Sequence, residues 1–144
     1  MLRLEALPTW PAPSVRAEPR RLARGQRGRL VVTIDVPEGC HIQSRDPAEP
    51  FLIPTTLDLD APPGLSFGPA SYPVGDVERF DWTPVVLRVY RGRVEIVVPV
   101  EVAAGAATGR RRVTGRIRYQ GCTANACLPP AEVEVAVDLE VTDR

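Results

Sequence analysis

The residues best suited to chemistry are two of the three cysteines, Cys122 and Cys127, which are five positions apart. Alternating, strand-like segments flank them at residues 110–120 and 131–141. On a helix this spacing would turn the two side chains about 140° apart. On a hairpin with residues 123–126 as its loop, they would stand opposite each other with Cβ atoms about 4.5–5.5 Å apart, near the separation that a disulfide needs. The spacing therefore predicts a hairpin that a disulfide can bridge.

Such a bridge has more than one interpretation. A disulfide that closes so short a loop restricts the unfolded chain only a little. Loop-closure entropy gives it a stabilisation of about 2 kcal/mol, which suits a minor structural role. A somewhat strained bridge would instead be easy to reduce and suited to redox chemistry. A metal site is a third alternative, but it needs further ligands, for which Cys40 and His41 are the candidates. A non-catalytic interaction module with a structural disulfide, a redox domain and a metal carrier all remain open on spacing alone.

Composition excludes several other classes of function. The 18 basic and 18 acidic residues balance, so no overall field favours nucleic acid. The Arg cluster between residues 20 and 27 lacks accompanying aromatic residues, and we interpret it as solvated. No apolar run approaches the roughly 18–20 residues of a membrane span. We therefore expect no nucleic-acid partner and no membrane-spanning segment in this chain.

Periodicity predicts the elements that must position the cysteines. Apolar residues alternate with polar ones in many short segments, and no helical period is apparent. With 16 Pro and 11 Gly marking turns, this pattern is typical of an all-β, Ig-like antiparallel sandwich. Residues 1–27, rich in Pro and Arg, predict an extended lead-in that pairs at most at a sheet edge near residues 15–17, followed by one domain over 28–144. The predicted strands are residues 29–36, 40–44, 51–60, 85–90, 93–102, 110–120 and 131–141, with a loop at 73–83.

Four motifs in order also resemble a known family. They are VPEGCHIQS at 36–44, FLIPTT at 51–56, VYRGRV at 89–94, and YQGC at 119–122 with CLPP at 127–130. Together they resemble the N-terminal periplasmic domain of the thiol–disulfide interchange protein DsbD and related disulfide bond corrector domains. The resemblance covers about residues 15–141, and the last motif is the most specific of the four.

The resemblance implies an Ig-like sandwich whose cysteine pair, matching Cys122 and Cys127, is redox-active. In the family this pair receives electrons from a membrane-embedded partner domain and passes them to oxidised thioredoxin-like proteins through mixed disulfides. The implied activity is that of a protein-disulfide reductase component in the periplasm or another extracytoplasmic compartment, with no cofactor or metal. By the family pattern, the residue that engages partners is the second cysteine, Cys127.

The resemblance also implies a loop that covers the cysteines, matching residues 76–83. Phe80 or Trp82 would be an aromatic cap that shields a thiolate from oxidation. Asp81 or Glu78 would be a carboxylate near the thiols that raises the thiol pKa or accepts its proton. Ordinary core packing is the alternative role for the two aromatic residues.

Two residues beside the motif depart from the family or stay open. Cys40 occupies a position that is commonly aromatic in the family, so a thiol there is unusual. His41 is either a half-buried structural residue or a base beside the cysteines.

Residues 1–12 lack the pattern of a secretory signal. We expect the chain to be either an excised piece of a larger membrane protein or a stand-alone relative whose electron donor is encoded elsewhere.

Overall fold

The computed structural model describes residues 10–144, which form β-strands joined by turns and loops, with no α-helix in that range. The alternation of apolar and polar residues explains this, because it places one side of each strand in the core and the other in solvent. The strands are β1 (Ser14–Glu18), β2 (Arg21–Ala23), β3 (Arg27–Asp35), β4 (Ile42–Gln43), β5 (Thr56–Asp60), β6 (Leu65–Phe67), β7 (Asp76–Glu78), β8 (Leu87–Tyr90), β9 (Arg93–Val102), β10 (Gly109–Tyr119) and β11 (Ala131–Thr142).

The strands make a sandwich of two four-stranded sheets, ordered β1-β3-β9-β6 and β2-β11-β10-β5, with a third, three-stranded sheet β4-β8-β7. Pairing within the named sheets is antiparallel except for β2, which runs parallel to β11. Inward side chains of both larger sheets meet in the core, among them Leu30, Val98, Val113 and Leu139. The predicted all-β, Ig-like sandwich is confirmed.

A second core cluster supports the end of the sandwich that carries the cysteines. It contains Ile34 and Ile96 from one sheet, Ile117 and Tyr119 from β10, and Ile42 from β4. The members named here are buried, with Ile34, Ile42, Ile96 and Ile117 fully so. Because β10 and β4 share this cluster, the segment around residue 41 is held beside the chain that follows Tyr119.

Two predicted segments differ from the structure. Only Thr56–Asp60 of the predicted strand 51–60 pairs, with β10, whereas Phe51 is 73% exposed in the preceding loop. Pro54 helps to explain this, since it cannot donate a ladder hydrogen bond. Conversely, β7 forms inside the predicted loop 73–83 because β8 offers it a free edge.

Within the predicted lead-in, residues 14–23 contain two strands of the sandwich. β1 lies at the edge of its sheet and pairs with β3, with Val15 opposite Val32. β2 lies at the edge of the other sheet, beside β11. Residues 1–9 of the predicted lead-in lie outside the described residues. Residues 10–144 include no helix long and apolar enough to cross a membrane.

Candidate redox site

The two cysteines face each other across a tight hairpin between β10 and β11. Two backbone hydrogen bonds bracket them, from Thr123 N to Ala126 O (2.7 Å) and from Leu128 N to Gly121 O (2.8 Å). Cys122 and Cys127 thus form a non-hydrogen-bonded antiparallel pair, the position at which opposite side chains come closest. Their Sγ atoms are bonded at 2.05 Å, and their Cα atoms are 4.0 Å apart. The hairpin predicted from the spacing is present.

Polar groups of the hairpin itself hold this turn. Thr123 Oγ1 accepts hydrogen bonds from the backbone N–H groups of Asn125 (3.3 Å) and Ala126 (3.2 Å). Gln120 donates from Nε2 to the carbonyl oxygen of Leu128 (3.1 Å) across the strands. None of these bonds involves a sulfur atom, so the register of the two cysteines does not rest on the disulfide alone.

The two cysteines differ sharply in exposure. Cys122 is 3% exposed, whereas Cys127 is an exposed residue. The difference arises because Cys122 lies between two strand partners, His41 and Cys127. Cys127 lies on the outer strand of the hairpin, beside Cys122. An attacking thiolate from another protein therefore has access to the Cys127 side of the disulfide.

His41 is the direct strand partner of Cys122. The two residues exchange both backbone hydrogen bonds, His41 N to Cys122 O and Cys122 N to His41 O, each 2.9 Å. Opposite residues of a strand pair project to the same face, so the imidazole lies on the side of the disulfide. The residue is 1% exposed, and burial, aided by the nearby charge of Arg91, lowers the pKa of His41. Glu78 opposes this shift more weakly.

The predicted cap segment reaches the site through aromatic contacts. The Phe80 ring packs on the His41 ring with centroids 4.7 Å apart, and Trp82 lies 6.0 Å from Phe80. Phe80 is half-buried, whereas Trp82 is 50% exposed and Asp81 is also exposed. The structure thus places Phe80 against His41, the strand partner of Cys122, and places Asp81 and Trp82 further out.

An ion pair anchors this segment. Arg91 donates to both carboxylate oxygens of Glu78, at 2.6 and 2.8 Å, and its third contact is with the Cys40 carbonyl oxygen at 2.9 Å. The hydrogen bonds from Arg91 hold the pKa of the Glu78 carboxyl below its usual range. The pair joins β7 to the chain that precedes His41, so the loop carrying Phe80 is tied to the strand on which it packs.

Cys40 lies in the core rather than at the disulfide. It is 3% exposed and belongs to the second core cluster with Ile42 and Tyr90. Adjacent strand residues point to opposite faces, so the Cys40 side chain points away from the face that His41 shares with Cys122. Burial raises the pKa of this thiol, with Arg91 acting more weakly in the other direction. A buried, protonated thiol is a poor nucleophile.

Among residues 10–144, the structure contains no cluster of ligand side chains that would support a metal site. No group of three or more His, Cys, Asp or Glu side chains there is placed to hold an ion. The two sulfur atoms of the hairpin are bonded to each other, and the Cys40 side chain is on the other face.

One residue that packs beside the hairpin was not predicted from the sequence. The Trp10 ring packs against Gly121, where a Cβ would come within 2.5 Å of the ring, and it also contacts Tyr119 with centroids 5.8 Å apart. A side chain at position 121 would therefore collide with the Trp10 ring. A lone Trp in the Pro-rich lead-in was the available signal, but the contact joins residues more than a hundred positions apart.

Comparisons with known proteins agree with this geometry. The family model described as thiol:disulfide interchange protein DsbD, N-terminal, matches residues 6–139. The structure of the Neisseria meningitidis DsbD N-terminal domain in the reduced form is similar, with a TM-score of 0.52 and 19% sequence identity, covering 77% of this chain and 77% of that one. That likeness shows the fold. None of the curated proteins matches the chain significantly.

Family and geometry together support thiol–disulfide exchange as the general chemistry of this chain. The matched family is one of thiol:disulfide interchange proteins, and the structure holds a cysteine pair at disulfide distance at a hairpin tip.

Proposed function

Because the chain belongs to the family of DsbD N-terminal domains, we propose that it relays reducing equivalents between two proteins outside the cytoplasm through Cys122 and Cys127. It receives them from a membrane-embedded donor domain and delivers them to oxidised thioredoxin-like proteins. The compartment is the periplasm or its equivalent. The chain acts as a component of a protein-disulfide reductase, and the disulfide itself is the redox group.

The observation that carries this proposal is the asymmetry of the disulfide. A relay needs one sulfur atom that a partner can attack and a second that leaves and later returns. The exposed Cys127 suits the first role, and the buried Cys122, opposite it on the hairpin, suits the second. A purely structural clip of this loop length would add only about 2 kcal/mol to stability and has no need of such asymmetry.

The exchange balances as two thiol–disulfide steps. A donor thiolate attacks Cys127 Sγ, the Cys122–Cys127 bond breaks, and Cys122 leaves as a thiolate. The second donor thiol loses its proton to solvent and attacks the donor sulfur of the mixed disulfide, which releases Cys127 as a thiolate. The donor dithiol is oxidised to a disulfide, and this domain gains two electrons. In delivery, the Cys127 thiolate attacks the oxidised partner, and Cys122 closes the bond again.

The proposal predicts that the disulfide equilibrates readily with other dithiols. We expect a reduction potential above about −300 mV, because structural disulfides fall below that value, and rapid reduction by a dithiol thioredoxin-like protein. Fluorescence or mass-spectrometric titration in glutathione buffers measures the potential, and stopped-flow mixing measures the exchange.

The control for this measurement is Cys40→Ala, which removes the third thiol but leaves the hairpin intact. It should give the same potential as the unaltered protein. A potential well below −300 mV, with no exchange with a thioredoxin-like protein, would identify the bridge as a structural clip instead.

The aromatic segment is the second part of the proposal. Phe80 and Trp82 cover the His41 side of the disulfide and limit access to Cys122, while the exposed Asp81 adds negative charge that disfavours a thiolate nearby. Support comes from the tilted contact between the Phe80 and His41 rings and from the Arg91–Glu78 pair that anchors the loop.

Removing the Phe80 ring should speed reduction of the disulfide by small thiol reagents. We expect Phe80→Ala to raise the rate at which dithiothreitol reduces the disulfide by about tenfold, since the lost ring opens the covered side to solvent and reagent. Phe51→Ala is the matched control, because Phe51 is an exposed loop aromatic residue. Equal rates for Phe80→Ala and Phe51→Ala would remove the capping role.

A further inference from the structure

His41 carries a hydrogen-bonding capacity that the fold leaves unused. Neither ring nitrogen has a hydrogen-bond partner within residues 10–144, although the residue is only 1% exposed. Leaving a buried polar group without a hydrogen bond destabilises a fold, so such a group calls for an explanation. Phe80 covers one side of the ring, and the backbone pairing fixes the residue opposite Cys122.

We propose that His41 donates a hydrogen bond from its ring N–H to Cys122 Sγ when the disulfide opens, which stabilises the leaving thiolate. This inference rests on the proposed exchange at the same site. In the disulfide form Cys122 Sγ is bonded to Cys127 and carries no charge. Once the bond breaks, Cys122 becomes a buried thiolate. Its sulfur is then no longer tied to Cys127, and rotation about χ1 brings it toward the imidazole of its strand partner His41 on the same face.

The surroundings of Cys122 leave this role to His41. The Gln120 carbonyl oxygen lies 4.0 Å from Cys122 Sγ, and an acceptor oxygen disfavours a thiolate. The Arg91 guanidinium is engaged by Glu78 and the Cys40 carbonyl. A second unused buried donor near the hairpin is Trp10 Nε1. That ring packs on Gly121, the residue before Cys122, and therefore lies on the opposite strand face.

Neutral imidazole suits the task. It keeps one N–H to donate and adds no charge of its own to a buried site. Burial and the positive charge of Arg91 both favour this neutral form. His41 therefore acts by a directed hydrogen bond that exists only in the reduced state and the transition toward it, so it shifts the equilibrium toward reduction.

An isosteric pair of variants tests the bond. His41→Leu lacks a donor, whereas His41→Gln keeps an N–H on a side chain of similar size. In glutathione buffers, we expect His41→Leu to move the equilibrium about tenfold toward the disulfide, as the loss of one hydrogen bond to a charged group implies. That factor corresponds to a potential lower by about 30 mV. His41→Gln should stay within about threefold of the unaltered protein.

Trp10→Phe is the control, since it removes the other unused N–H on the opposite face, and it should leave the potential within about twofold. A second measurement follows the absorbance of reduced protein at 240 nm against pH, where His41→Leu should shift thiolate formation to higher pH. If His41→Leu fails to fold, His41→Phe takes its place and keeps the ring contact with Phe80.

Two results would overturn the inference: equal potentials for the Leu and Gln variants, or an equal shift in Trp10→Phe. The glutathione equilibrium needs no protein partner, so it tests His41 separately from the relay. Unaltered protein that equilibrates with glutathione but not with thioredoxin-like proteins would contradict the proposed function while leaving the hydrogen bond supported.

Discussion

Cys122→Ser is expected to capture a thioredoxin-like protein as a stable mixed disulfide, and Cys127→Ser to capture at least ten times less. The reason is exposure: the first variant keeps the accessible Cys127, and the second keeps the buried Cys122, which a partner sulfur cannot approach. Without its opposite thiol, neither variant can resolve a mixed disulfide from its own side. The partner is a thioredoxin-like protein that keeps only its attacked cysteine, activated as a mixed disulfide with 5-thio-2-nitrobenzoate, so that it has no second thiol to reverse the reaction. Non-reducing electrophoresis and mass spectrometry of the product, with release of 5-thio-2-nitrobenzoate as the leaving group, provide the measurement.

Both variants should carry Cys40→Ala, so that the hairpin thiol is the single cysteine. Reaction with 5,5′-dithiobis(2-nitrobenzoate) provides a test that needs no protein partner, and Cys127 should react faster than Cys122 by a similar factor. Equal capture by the two variants, or preferential capture by Cys122, would contradict the assignment of Cys127 as the attacked sulfur.

Gly115→Ala is expected to lower the free energy of unfolding by about 3 kcal/mol, at the upper end of overpacking costs. Gly115 lies in β10 opposite Leu59 of β5. A Cβ at this position would collide with the Asp58 carbonyl oxygen and come within 3.0 Å of the Leu59 backbone. Backbone atoms of a paired strand cannot give way as a flexible side chain can, so β5 and β10 must separate. Urea denaturation measures the loss.

Gly105→Ala is the matched control for this effect. Gly105 is exposed, and a Cβ there would meet nothing within 4 Å. Both variants therefore change the backbone entropy of the unfolded chain in the same way, but only Gly115→Ala introduces a collision. Stabilities of the two variants within 0.5 kcal/mol of each other would show that the pair of strands adapts at low cost.

Part of the site could be predicted because its determinants are local. Alternation over residues 110–120 and 131–141 predicted two long strands, and a spacing of five then placed Cys122 opposite Cys127. Strand periodicity and hairpin register depend on neighbours in the chain, so a single sequence reveals them. The ordered motifs added the family, and with it the expectation that Phe80 belongs near the cysteines.

Other features depend on contacts between distant segments. The segment at His41 buries Cys122 but not Cys127, Trp10 fills the space beside Gly121, and β8 turns part of the 73–83 loop into β7. The unused nitrogen atoms of His41 became apparent only once each neighbour was in place. The sequence by itself thus determined a bridged hairpin on a β-sandwich. Only the tertiary structure decided which sulfur is exposed, since burial depends on the residues that pack across the fold.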